Sequence, residues 1–155
     1  MVSPELLRQY PFFGRLSEAQ LREIAMIAEE ETLQSGQVIF REGDPAETLY
    51  LLLEGCVDLY FTLAGEKQAS VEKGIPVGEI NPGEPFGISA LIEPHLLTAT
   101  ARATSPSRVL KIDGAALRAL LKKDRQMAYQ LTHQAAKAAI ERLHATRIQL
   151  AAAWV

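Results

Sequence analysis

Gly36-Gln37-Val38-Ile39-Phe40-Arg41-Glu42-Gly43-Asp44, followed shortly by Leu49-Tyr50-Leu51-Leu52-Leu53-Glu54-Gly55, is the stretch on which the fold turns. Val38 to Phe40 and Leu49 to Leu53 are short runs of β-branched, aromatic and aliphatic residues. Each is followed by a glycine able to take the positive φ of a tight turn. The alternation continues outward. Val57-Asp58-Leu59-Tyr60-Phe61, Ser70-Val71, Val77 to Ile80, Ala99 to Thr104 and Arg108 to Ile112 have strand length and composition. Gly36, Gly43, Gly55, Gly65, Gly74, Gly78, Gly83 and Gly87 punctuate them, and Asn81-Pro82-Gly83 is a turn tripeptide. Strands this short, at such intervals, predict a barrel or jelly roll over residues 31–113.

The flanks are helical. Ser3-Pro4 suits the cap and first turn of a short helix. Ser17 opens a second, with Gln20 at capping-box spacing. Leu21, Ile24, Ala25 and Ala28 recur at helical spacing, and the acids Glu29, Glu30 and Glu31 read as the solvated end of that helix. Phe12 and Phe13, between the two helices, read as core. After Asp113, a cap, Leu117, Leu120 and Leu121 mark a third helix, and Asp124 caps a fourth that runs from about Arg125 toward the end. The predicted class is α+β: a double-stranded β-helix, or jelly-roll-like β-roll, with N-terminal helices (1–30) and a C-terminal helix pair (114–155). One domain over 1–155 is expected.

The 155 residues carry a net charge of −3, so no basic excess is available to grip nucleic acid. The lone Cys56 excludes an intrachain disulfide framework and a cysteine-rich zinc site, and it reads as a small buried hydrophobe. No apolar run reaches the length of a membrane span, and the N-terminus lacks the pattern of a signal peptide, so a cytoplasmic location is expected. No phosphate-loop or nucleophile-elbow motif is present, and no enzyme activity is expected.

With its glycines and their flanking apolar residues in register, the stretch 36–55 closely resembles the cyclic nucleotide-binding domain. That is the sensor domain of catabolite-activator-type regulators, cyclic-nucleotide-dependent kinase regulatory subunits and some ion channels. The resemblance runs from the helix at Leu16-Ser17-Glu18 through the roll to the terminal helices. It implies a non-catalytic regulatory module. It also places the ligand site in the phosphate-binding cassette, Phe86 to Ala103, and marks Gly87, Ile88, Ser89, Ala90, Leu97, Thr98 and Ala99 as its ligand-facing positions. Gly87, Ala90 and the frame Ala99-Thr100-Ala101-Arg102-Ala103 match the family pattern. Its two polar anchors do not: Ile88 stands where the family places the Glu that accepts from the ribose hydroxyl, and Leu97 where it places the Arg that meets the phosphate. A hydrogen bond to a charged group contributes about 1.5–3 kcal/mol. A buried charge left without its partner costs roughly 3–5 kcal/mol. Weak or absent binding of cAMP or cGMP is therefore expected, and no cofactor is firmly implied. Neither Arg102, which points away from the pocket in the family, nor the mostly neutral His95 is a convincing substitute cation.

The last helix carries a heptad seam at Tyr129, His133, Ala136, Ile140, Leu143, Arg147, Leu150 and Trp154. A second stripe, Met127, Leu131, Ala135 and Ala138, faces the roll. Two apolar stripes imply two burial partners, and a homodimer supplies the second. By the resemblance, Arg142, Leu143 and Thr146 lie near the base of a ligand. The family's regulators continue into a helix-turn-helix domain; this chain is expected not to bind DNA alone and to act through a downstream protein partner or through dimer geometry. Two alternatives are a protein-association scaffold whose pocket is self-filled, and a sensor of another effector, a small organic anion or haem held by His133 or His95. Ile88 and Leu97 discriminate: packed together they favour the scaffold, facing an empty pocket they favour the sensor. A cupin-like metalloenzyme needs clustered histidines, and His95, His133 and His144 lie far apart.

Overall fold

The computed structural model describes residues 1–62 and 74–155. The expected strand at Ser70-Val71 and the turn at Gly65 lie outside the described residues. Helix α1 (Pro4–Arg8) is capped by Ser3 with Pro4 in its first turn. A 3-10 turn (Pro11–Phe13) leads to α2 (Glu18–Met26), whose N-terminus is a full capping box: Gln20 N donates to Ser17 Oγ at 3.2 Å and Ser17 N to Gln20 Oε1 at 2.8 Å.

Helix α2 stops earlier than its periodicity predicted. Ala28 opens strand β1 (Ala28–Leu33), so Glu29, Glu30 and Glu31 lie on a strand and do not end a helix. The cause is tertiary. β1 pairs antiparallel with β8 (Ser107–Asp113), whose Arg108 and Lys111 reach Glu30 and Glu31, each at 2.9 Å. Cross-strand pairing of opposite charges, together with the ladder, outweighs the helix preference of a Glu run.

The remaining strands are β2 (Val38–Phe40), β3 (Thr48–Glu54), β4 (Val57–Phe61), β5 (Ile75–Ile80), β6 (Pro85–Phe86) and β7 (Thr100–Ala103). They form two four-stranded sheets, ordered β1-β8-β3-β6 and β2-β7-β4-β5, with every pairing antiparallel. Gly78, expected in a turn, lies inside β5 opposite Leu59, where a Cβ would make only ordinary contact with that leucine.

The composition of β3 follows from its position. Successive side chains point to opposite faces. Leu49, Leu51 and Leu53 join Leu7, Phe13, Ile24, Leu117 and Leu131 under the helices. Leu52 instead joins Val57, Ile80, Phe86 and Val109 inside the roll, where Tyr50 packs against them. A strand covered on both faces reads as a continuous apolar run. Gly55, at φ +102°, closes the strand where a Cβ would sit 2.7 Å from Ser107 Cα.

Asp113 caps α3 (Gly114–Lys123) by accepting from Ala116 N at 2.9 Å, and Asp124 caps α4 (Arg125–Ala153) by accepting from Met127 N at 3.0 Å. The 29 residues of α4 extend about 44 Å. Its stripe Met127, Leu131, Ala135 and Ala138 is buried against the body. No helix among the described residues is long and apolar enough to cross a membrane.

Candidate functional site

Strand β6 ends at Phe86 and is followed by Gly87, which turns the chain at φ +66° into a 3-10 turn over Ile88–Ala90. Glycine is favoured there by the left-handed φ and by close quarters, since a Cβ would lie 3.1 Å from both Thr48 O and Tyr50 Cδ2. Below it, Phe40, Tyr50 and Phe86 form an aromatic group, with Tyr50 and Phe86 stacked at 4.9 Å between ring centroids. Arg118 of α3 ties the turn down by donating to Ala90 O at 2.8 Å. The return path to β7 is held by the loop after β2: Gly43 N donates to Leu97 O at 2.8 Å and Leu97 N to Asp44 O at 2.9 Å.

Between this segment and α4 lies a cavity of about 220 Å³. Gly87, Ile88, Ser89, Leu97, Thr98 and Ala99 line it, on a wall completed by Phe40, Leu59 and Phe86. From α4 come Ala139 and Arg142. Six of the seven cassette positions expected to face a ligand are thus brought together. Ala90 is not among them; it is fully buried in the core. Of the expected base-side residues, Arg142 reaches the cavity. Thr146 instead donates back to Arg142 O of its own helix at 2.8 Å, with Val77 O of β5 at 3.3 Å, and Leu143 lies on the exposed side of α4, 49% accessible.

Leu97 is only 7% exposed and belongs to the core under the helices, with Ile88 packed against that core. The two residues therefore pack and line a cavity at once. The site wall is apolar, with Ser89 and Thr98 supplying hydroxyls and Arg142 the positive charge. One guanidinium nitrogen of Arg142 donates to Pro85 O, while its Nε is buried without a partner among the described residues. Burial pushes the Arg142 guanidinium below its ordinary pKa, with Glu84 and Glu141 acting in the opposite sense.

The other cations and histidines lie elsewhere. Arg102 donates from Nε to Gly36 O at 3.2 Å. His95, at φ +58°, has its Nδ1 2.9 Å from Ser89 O, which makes that nitrogen the N–H donor. His133 is exposed and stacks on Tyr129. None of the three lines the cavity, so haem ligation by His95 or His133 within it has no geometric support. Cys56, expected to be buried, is half-buried, with its thiol 3.4 Å from Glu79 Oε1.

Other hollows lie outside the site. One, about 260 Å³, shares Phe40 and Leu97 with it. Another, about 380 Å³, lies by Met26, Thr48, Lys111 and Asp113 and gathers no cassette residue. On the outer side of α4, the seam residues His133, Ala136, Ile140, Leu143, Arg147 and Leu150 are all exposed.

Sequence reasoning missed the contributions of Phe40, Leu59, Phe86 and Ala139 to the cavity wall. The aromatic pair carried a signal, since Phe86 opens the cassette and Phe40 ends a strand. Ala139 carried none.

A roll of two four-stranded antiparallel sheets, a glycine-led turn in a cassette and a long helix across its mouth define the class of regulatory β-roll sensors. The sequence signature of the cyclic nucleotide-binding domain matches residues 30–124, and the chain belongs to that family. It is similar to a Geobacter metallireducens protein described as cyclic nucleotide-binding, with 41% identity and a TM-score of 0.81 over 93% of this chain and all of that one. It is also similar to the regulatory domain of Toxoplasma gondii PKA crystallised with cAMP, with 25% identity and a TM-score of 0.63 over 80% of this chain and 46% of that one. A cyclic nucleotide-gated potassium channel of Mesorhizobium japonicum is 30% identical over 124 residues, which is 80% of this chain and 31% of the channel. The chain spans between 26% and 31% of the length of the curated relatives that it matches first.

Proposed function

We propose that this chain is a non-catalytic sensor domain that holds a small molecule in the cassette cavity, passes occupancy to α4, and works as a homodimer. Its binding of cAMP or cGMP in the usual cassette mode is weak or absent. The observation that carries the reading is the position of Leu97. It lies in the wall of the cavity at the place of the phosphate-binding Arg, almost fully buried and locked by main-chain bonds to the loop after β2. A phosphate seated there meets an aliphatic side chain, and Ile88 offers nothing to a ribose hydroxyl. Losing a hydrogen bond to a charged group costs about 1.5–3 kcal/mol. Each roughly 1.4 kcal/mol is tenfold in affinity.

The scaffold alternative draws support from the packing of Ile88 and Leu97 into the core. The sensor reading is favoured by the space that remains beside them, with Ala139 and Arg142 in its wall. An occupant touches α4 directly, so its binding energy can bias the position of that helix. The uncovered seam of α4, with Ile140 66% and Leu150 60% exposed, supports a second copy as the partner of that face. Output then passes through dimer geometry or a protein partner, in the cytoplasm.

Isothermal titration of the full chain with cAMP and cGMP tests the reading. No heat of binding is expected at micromolar ligand. Micromolar affinity, lost on mutating Ser89 and Thr98, overturns it.

A further inference from the structure

Resting on that sensor reading, we infer that the cassette cavity takes a small monoanionic organic acid with an apolar body, its charge met by Arg142 of α4. The inference starts from an imbalance. Among the described residues, Arg142 is the one charged side chain in the cavity wall, and no acidic side chain lines it. A guanidinium has five N–H donors and no acceptor. Here one nitrogen is engaged by Pro85 O, while Nε is sealed from solvent with no partner among the described residues. Nε lies out of an occupant's reach, but Arg142 lines the cavity, and its N–H groups other than Nε and the one given to Pro85 O are the donors left for a ligand.

The nearby acids Glu84 and Glu141 favour the charged guanidinium through space, but neither lines the cavity. Glu84 accepts from Asn81 N at 2.6 Å, and Glu141 is exposed; both line a different hollow, with Pro11 and Lys137. The guanidinium fork matches a carboxylate, which can accept two N–H groups at once.

The rest of the wall selects the ligand's body. Phe40, Leu59, Phe86, Ile88 and Leu97 are apolar and offer no hydrogen bond to a sugar. At about 220 Å³ the space lies below the roughly 300–1,000 Å³ common for drug-sized ligands. An aryl or short alkyl carboxylate suits both wall and size better than a mononucleotide. The charge sits on the helix rather than in the cassette, so the anion pulls on α4 itself.

The test compares acids with neutral isosteres: phenylacetate against phenylacetamide, and hexanoate against hexanamide, titrated into the full chain by calorimetry and ligand-observed NMR. The acids are expected to bind roughly ten- to a hundredfold more tightly than their amides. Arg142→Gln should reduce that preference to parity, Arg142→Lys should restore part of it, and Ala139→Phe should block acid and amide alike. Thermal melts confirm that each variant folds. Acid preference that survives Arg142→Gln overturns the inference, as does the absence of any acid binding up to ~10 mM. Equal binding of acid and amide, blocked by Ala139→Phe, removes the charge assignment and leaves the sensor reading standing. Micromolar cAMP binding indifferent to Arg142 removes both.

Discussion

Arg142 of α4 donates to the main-chain carbonyl of Pro85 in β6, joining the terminal helix to the strand that feeds Gly87 and the cassette turn. The helix is therefore tied to the strand that leads into the cassette. The guanidinium there is desolvated and only partly bonded, which is a cost to the empty protein. Replacing such a group by an apolar one of similar reach is often neutral or stabilising. Arg142→Met is expected to unfold in urea within about 1 kcal/mol of the parent, or above it. A much larger loss would make Arg142 a structural fastener and weaken its case as a ligand partner.

Restoring the family anchors should restore the family ligand. Ile88→Glu with Leu97→Arg places a carboxylate and a guanidinium in the wall of the cavity. The double variant is expected to be less stable alone, because Leu97 is buried in the core. It should recover stability with added cAMP, and bind it at least ~tenfold more tightly than the parent. Calorimetry and melting curves with and without cAMP read both effects, and an unchanged cAMP affinity would sink the assignment of these two positions.

Two glycines should differ sharply in tolerance. At Gly55 a Cβ meets Ser107 Oγ and lies 2.7 Å from Ser107 Cα, at φ +102°. Gly55→Ala is expected to cost about 3 kcal/mol or more. Gly43 also has positive φ, but nothing lies within 4 Å of its Cβ site. Gly43→Ala should therefore cost only the backbone term, about 1 kcal/mol. Chemical denaturation of both variants checks the order.

Burial, and then Glu79, raise the pKa of Asp58 above the ordinary 3.8. The native state thus holds this proton more tightly than the unfolded chain. Between 3.8 and the raised folded value the native state binds more protons, and stability falls as pH rises. Asp58→Asn is expected to be more stable than the parent at pH 7, with the advantage shrinking as the pH falls through the raised folded value and gone once it is below 3.8. Asp124 has the opposite sign: the Gln20 amide, followed by the Met127 N–H, lowers its pKa. Its contribution is present above 3.8 and fades as pH falls through the lowered folded value. Urea titrations across this range separate the two, and a pH-independent effect of Asp58→Asn would contradict the assignment.

The outer seam of α4 gives the last prediction. Ile140→Glu with Leu150→Glu places like charges along an exposed apolar face. Sedimentation equilibrium should show a dimer of the parent chain turned into a monomer, with the melting profile of the body preserved. A monomeric parent would refute the dimer.

Local chemistry was legible in the linear chain. The capping box at Ser17 and Gln20, the helix caps at Asp113 and Asp124, and the turn glycines at 36, 43, 55, 83 and 87 depend on neighbours within a few positions. The apolar run of β3 was legible for the same reason, since burial on both faces leaves its mark on every residue. Position in a known pattern identified most of the cassette wall. Long-range pairing was not legible. Glu29, Glu30 and Glu31 have helix-like chemistry, and only β8, with Arg108 and Lys111, makes them a strand. Gly78 reads as a turn until β4 is laid beside it. The cavity depends on tertiary structure most of all. Its volume is what packing leaves over, a difference between the shapes of distant segments, and no one residue encodes it. Arg142 became part of it only because α4 crosses β5 and β6 in that register, which lays its guanidinium beside the cassette, far away in sequence.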